Sequence, residues 1–333
     1  MMSSDVHIRD WMRKEFFIKN LITPFGLVFL LLITAGVSYL AFAGNYILIG
    51  LIVGILPGLI VLYLVFFKPL IGFYLINVMA CFAFYPAHIL HVELGIGTMV
   101  EILYWILLIG SLRVKPPAGM KNNLLASPIT VIFLIYTVYG FLQFFNPELN
   151  NRTLYYIGLR KSIMFLWIYI ISYRLINTPD KFRFFLKFWI FMAFLIAIYG
   201  CYQQWFGFLP RELEYVMSNP VLYGLIYQGG QFRKFSFLSD VVQFGVFSGA
   251  MCVLTLIITI YEKEKRKKFI LGFLTLIMAL GMSYSGTRTT TFILPAGVSL
   301  YILMTVRSKT TLITVFGSVM VALFVLFAPI YTN

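Results

Sequence analysis

Residues 269–304 decide the reading: two apolar runs, 269–283 and 292–304, neither holding a charge, enclose Tyr284-Ser285-Gly286-Thr287-Arg288-Thr289-Thr290. Each run is nearly long enough to cross a bilayer, whose hydrocarbon core takes about 20 residues of helix. A guanidinium cannot be neutralised at physiological pH, and near hydrocarbon it costs several kcal/mol. Arg288 therefore sits at an interface or faces an anion. Its neighbours favour the anion. Gly286 permits unusual backbone angles, while Thr287, Thr289 and Thr290 offer hydroxyls and amides where a helix would begin. A helix start with free N–H groups is already a phosphate-sized site.

The same pattern runs outward in both directions. Of 333 residues, 61% are hydrophobic and 11% charged, with a mean hydropathy of +0.91. Globular chains carry about 25% charge, so this is a membrane chain. Apolar runs follow one another with short breaks, which predicts one integral membrane domain over 1–333: an all-α, polytopic membrane helix bundle of about eleven transmembrane helices. The spans fall at 21–43, 46–67, 69–85, 99–112, 127–145, 160–177, 184–206, 240–260, 269–284, 289–306 and 310–330. The first 20 residues, with Asp5, Arg9, Arg13, Lys14 and Lys19, are too charged for a cleavable signal peptide and read as a cytoplasmic lead-in.

A net charge of +14 could suggest nucleic acid, but the cations are spread over many short loops. With the N-terminus inside, nineteen Lys and Arg lie on inner loops against seven outside, the bias that orients multi-pass proteins. Cys81, Cys201 and Cys252 lie far apart inside apolar runs and form neither a disulfide framework nor a metal set. An odd number of spans leaves Asn333 outside, and we expect the natural chain to continue past it. The external segment 207–239 mixes Pro210, Pro220, Gly224, Gly229 and Gly230 with Tyr215, Tyr223, Tyr227 and Phe232; it reads as irregular chain lying along the outer interface.

Under this topology spans six, eight and ten begin on the outer face, each beside basic residues: Arg160 and Lys161, then Arg233 and Lys234, then Arg288. Three helix N-termini with adjoining cations could converge on one polyanion such as pyrophosphate. Each residue also has a plainer reading. Arg160 and Lys161 could snorkel to the headgroups. Arg233 could pair with Glu212 or Glu214, and Asp240, three residues before Gln243, reads as a helix cap before it reads as a base. Glu101 is the acid placed inside a span. His88, His91 and Glu93 form a weak metal or base pattern whose default is interface packing. The run Glu262 to Lys268 reads as a topogenic inner loop.

Two of these stretches resemble a known family. Arg233-Lys-Phe-Ser-Phe-Leu-Ser-Asp240-Val-Val-Gln-Phe-Gly245, then a span and a basic inner loop, then Ser283-Tyr-Ser-Gly-Thr-Arg288-Thr, is similar to the core of the O-antigen ligase and O-antigen polymerase superfamily. The likeness covers residues 229–306 in detail. It implies a C-type glycosyltransferase-like bundle in the bacterial inner (cytoplasmic) membrane. It also implies metal-independent transfer of glycan, without a cofactor, from an undecaprenyl-pyrophosphate carrier to an acceptor glycolipid or glycan on the periplasmic face, as in lipopolysaccharide biosynthesis. Carried over, Arg233 and Arg288 hold the pyrophosphate; apart from the resemblance, the helix-start argument adds Arg160 and Lys161 as pyrophosphate-binding candidates, with Lys234, Asp240, Thr287 and Glu101 as secondary ones. The family's general base, a histidine, lies in a large external loop, here expected past Asn333, so no catalytic residue is assigned within the chain. A transporter or flippase of lipid-linked or anionic solutes is the alternative; it would need polar residues through the middle of the spans, which are poor in them.

Overall fold

A computed structural model describes residues 46–90, 96–114, 127–146 and 152–305, with 313, 316 and 317 singly. The spans expected at 21–43 and, save those three residues, at 310–330 lie outside the described residues, as do His91 and Glu93. The backbone divides into two compact units at Phe67 and Lys68. Among the described residues the first unit shows one helix, α1 (Tyr46–Phe67), which carries Pro57 within it.

The second unit runs α2 (Pro69–Phe82), α3 (Phe84–Leu90), α4 (Ile96–Leu112), α5 (Pro128–Leu142), α6 (Arg152–Leu175), α7 (Pro179–Phe206), α8 (Pro210–Ser218) and α9 (Pro220–Ile226). A two-stranded hairpin follows, β1 (Tyr227–Gln228) and β2 (Gln231–Phe232), and then α10 (Val241–Tyr261), α11 (Lys265–Tyr284), α12 (Arg288–Thr291) and α13 (Ile293–Thr305). Every expected span inside the described residues is helical. Five stretches are long and apolar enough to cross a membrane: Pro69–Pro86, Pro128–Phe145, Pro179–Phe206, Val241–Tyr261 and Lys265–Tyr284. The chain is thus an all-α, membrane-embedded protein with five candidate spans among the described residues, a coarser statement than eleven.

Helix starts follow local chemistry. Proline opens α2, α5, α7, α8 and α9. Its fixed φ suits that position, and its missing N–H would have had no intrahelical acceptor. Several helices begin earlier than hydropathy indicates. α7 starts at Pro179 and α11 at Lys265, taking Lys181 and Arg183, or Lys265 to Lys268, into the helix. Charged residues are good helix formers, so they lengthen a helix beyond its apolar part. At the other end of α4, Arg174 from α6 donates from Nε to Ser111 O at 3.2 Å and from Nη2 to Leu112 O at 3.1 Å and Val114 O at 3.2 Å. A cation there satisfies carbonyls that the helix itself leaves open.

The core is built by α7, α10 and α11, with α13 on α10, while α6 packs on α4 and α5. Small residues let the central helices approach. On α7, Ala193, Ala197 and Cys201 recur every four residues and are buried. On α10, Gly245 and Gly249 form the same small-xxx-small spacing, and a Cβ added at Gly249 would stand 3.0 Å from Met282 Sδ on α11. At Gly245 an added Cβ would stand 2.6 Å from Thr290 Cγ2 and collide with Ser285. That close approach brings the start of α10 against the turn that carries Arg288.

Candidate functional site

The turn between α11 and α12 is closed by local bonds. Gly286 sits at φ +60°, where a side chain would be strained, and a Cβ there would stand 3.0 Å from Arg233 Cγ. Ser285 Oγ donates to Met282 O at 2.7 Å, and Thr290 Oγ1 donates to Thr287 O at 2.7 Å. The threonine hydroxyls expected to greet an anion are therefore largely spent within the turn. The helix beyond is also interrupted. α12 is one turn long, Phe292 intervenes, and Pro295 has no N–H for the carbonyl of Thr291. A single turn has little macrodipole, so the expected contribution of a helix N-terminus at Arg288 is small.

Arg233 lies directly against this turn. Its backbone N donates to Ile226 O at 2.9 Å, and the next amide, Lys234 N, donates to Tyr284 O at 3.1 Å. Its guanidinium donates from Nε to Ser285 O at 3.1 Å, from Nη1 to Leu225 O at 3.2 Å and to Gln228 Oε1 at 3.1 Å, and from Nη2 to Thr287 Oγ1. Of five N–H donors, four are engaged by the protein. Burial pulls Arg233 below its usual value, an effect offset in part by the charge of Asp240, and a guanidinium remains protonated regardless. Arg288, by contrast, is exposed; its carbonyl accepts from Thr291 Oγ1 at 2.6 Å, but its guanidinium has no hydrogen-bond or ion-pair partner among the described residues. The two arginines are brought to one place, but in unequal roles: Arg233 is a strut and Arg288 has its donors free.

No family model, curated protein or solved structure matches the chain.

Other site residues separate into groups. Asp240 is the N-cap of α10, accepting from Gln243 N at 2.8 Å and from Ser239 Oγ at 3.2 Å, as the cap reading expects. Lys234 is buried, with Nζ 4.6 Å from the centre of the Phe208 ring; burial lowers its pKa and the charge of Glu212 opposes that. The alternative reading of Arg233, an ion pair with Glu212 or Glu214, is not what the side chain makes. Glu214 lies 3.7 Å from Arg211, and Glu212 is wholly buried. Its Oε1 accepts from Tyr199 Oη at 2.7 Å and Gln203 Nε2 at 3.0 Å, and its Oε2 from Leu209 N at 2.9 Å.

The expected placement of Arg160 and Lys161 at a helix start is corrected. α6 starts at Arg152, so both lie more than two turns inside a helix, where backbone amides are already bonded and no N-terminal dipole is presented. Arg160 Nε lies 2.9 Å from Glu101 Oε2, so each charge that lacked an explanation supplies the other's. No hydrogen bond or ion pair among the described residues joins Arg160 or Lys161 to the Arg288 turn. His88 is buried against Tyr215 and Phe235, with ring centroids 4.6 and 5.1 Å away. Its Nδ1 is unpartnered, and burial lowers its pKa to about 4. Among the described residues no group of three or more His, Cys, Asp or Glu could hold a metal.

Sequence reasoning missed Gln203 and Tyr199 and gave Glu212 the wrong partner. Tyr199 and Gln203 are four apart in the C-terminal part of α7, hence on one face, and Glu212 follows Pro210 at the spacing of a helix start. The hairpin was also readable. Gly229 at φ +61° and Gly230 at φ +78° make the two-residue turn that a Gly-Gly pair between short apolar-polar runs signals. An open apolar cleft of about 490 Å³ lies where Phe82, Tyr199, Tyr202 and Phe237 meet, and Phe237 stands four residues after Arg233 in the chain.

Proposed function

We propose that the chain transfers glycan from an undecaprenyl-pyrophosphate carrier to an acceptor on the periplasmic face of the bacterial inner membrane, as O-antigen ligases and polymerases do, within a bundle of about eleven spans of the C-type glycosyltransferase kind. The observation that carries this reading is the junction of the two family-like stretches: the Arg233 side chain is bonded to Ser285 and Thr287, and Arg288 beside them is left exposed with its donors open. A guanidinium held on a rigid turn suits a leaving pyrophosphate, because fixed donors stabilise charge as it develops without reorganising. The apolar cleft beside Phe237 suits the first hydrocarbon units of a lipid carrier. Arg288 binds the diphosphate, Arg233 and Thr287 hold the turn, and Asp240 keeps the start of α10 in place.

The test is glycan transfer in membranes supplied with the lipid-linked donor, comparing Arg288→Ala with the unchanged chain at equal membrane content. Loss of transfer with normal insertion supports the assignment; full transfer by Arg288→Ala overturns it. Export of labelled carrier lipid from liposomes without transfer would instead favour a transporter.

A further inference from the structure

Ser236 is the one non-glycine residue among those described with positive φ, at 56°, and it is fully buried. Such a backbone persists only where its surroundings over-determine it. Two bonds do so here: Ser236 N donates to Gln203 Oε1 at 2.9 Å, and Ser236 Oγ donates to Ile196 O at 2.6 Å. Three residues earlier the same strand of chain delivers Arg233.

A glutamine amide can face either way, and only one way works. Its oxygen must meet Ser236 N, so its nitrogen must meet an acceptor. Glu212 is that acceptor, at 3.0 Å from Gln203 Nε2. A carboxylate cannot donate, which fixes the polarity of the whole relay. Glu212 is itself anchored from α7 by Tyr199 and from the start of α8 by Leu209 N. Its charge also opposes the effect of burial on Lys234, next to Arg233 in the chain.

We propose that Glu212 and Gln203 are positioning residues, which through Ser236 set where Arg233 braces the Arg288 turn. The inference rests on reading that turn as an anion site, yet its test does not. The full chain in lipid nanodiscs is followed by hydrogen–deuterium exchange over residues 233–238 and 284–288, and separately by calorimetric titration with inorganic pyrophosphate. E212Q turns the acceptor into a competing donor. It is expected to raise exchange in both segments about tenfold or more while α10 and α11 keep their protection, and to weaken pyrophosphate about tenfold. The swap E212Q/Q203E again sets a donor against an acceptor between the two side chains while keeping an acceptor facing Ser236 N, and is expected to return both readouts to within about twofold of the original.

Unchanged exchange in E212Q, a rise spread equally through α10 and α11, or a swap that restores nothing would each overturn the proposal. Should E212Q fail to insert, Tyr199→Phe, which removes one bond from Glu212, makes the same comparison. An unmodified chain that does not bind pyrophosphate sinks the functional reading alone, and the exchange comparison still decides the positioning role.

Discussion

Replacing each of the two arginines by lysine should separate holding the turn from binding the anion. In Arg233→Lys the charge survives but the fork does not. Of the four bonds, those to Leu225 O and Gln228 Oε1 lie in exposed surroundings and are discounted for solvent; those to Ser285 O and Thr287 Oγ1 are half-buried. A hydrogen bond from a charged donor is worth about 1.5–3 kcal/mol net, and an ammonium recovers one of the two, so the net loss is about 2 kcal/mol with some further loss from the exposed pair. Arg288→Ala loses no side-chain hydrogen bond or ion pair among the described residues, so its thermal midpoint should stay where it was. Pyrophosphate affinity should fall about 10- to 100-fold, the equivalent of one lost charged contact. Thermal unfolding in nanodiscs with calorimetric titration measures both. If Arg233→Lys melts like the parent while Arg288→Ala melts early, the assignment of strut and ligand is reversed and the reasoning fails.

Gly245→Ala should weaken pyrophosphate binding at least tenfold, because the new methyl meets Ser285 and Thr290 and must push the turn aside; unaltered binding by calorimetry would mean the turn yields freely. His88 should make the protein acid-sensitive. Its folded pKa of about 4 lies below the unfolded value of about 6.5, so the proton binds the unfolded chain first. Stability is fully present above pH about 6.5, falls by about 1.4 kcal/mol per pH unit on the way down, and levels below pH about 4. Acid unfolding curves of His88→Phe should lack that slope. A double-mutant cycle on Glu101→Gln and Arg160→Gln should show the two changes coupled in thermal stability and leave pyrophosphate binding unmoved; a tenfold loss of binding would return Arg160 to the site.

What was legible in the sequence was what burial and charge cost. Apolar runs became helices because nothing else satisfies the backbone in lipid, and an arginine between two such runs had to be explained, which led to the turn that Arg233 meets. Asp240 ahead of Val241 read correctly as a cap because its short carboxylate reaches Gln243 N locally. Helix beginnings were misplaced where the chain leaves hydrocarbon, since hydropathy reports the solvent and not the backbone. That error put Arg160 at a helix start when it lies nine residues into α6. The relay through Glu212, Gln203 and Ser236 was hidden for another reason: it joins residues 33 apart across three elements, and a lone polar residue on a span does not name its partner.

The break at Phe292 leaves Arg288 riding on a single turn that α13 does not grip end to end. Its bearing comes instead from the packing of Ser285 and Thr290 on Gly245 of α10 and from the bonds of Arg233 to Ser285 and Thr287. A cation mounted in this way depends on the neighbours behind it rather than on the span that follows, so changes along α13 should disturb it less than changes at the start of α10.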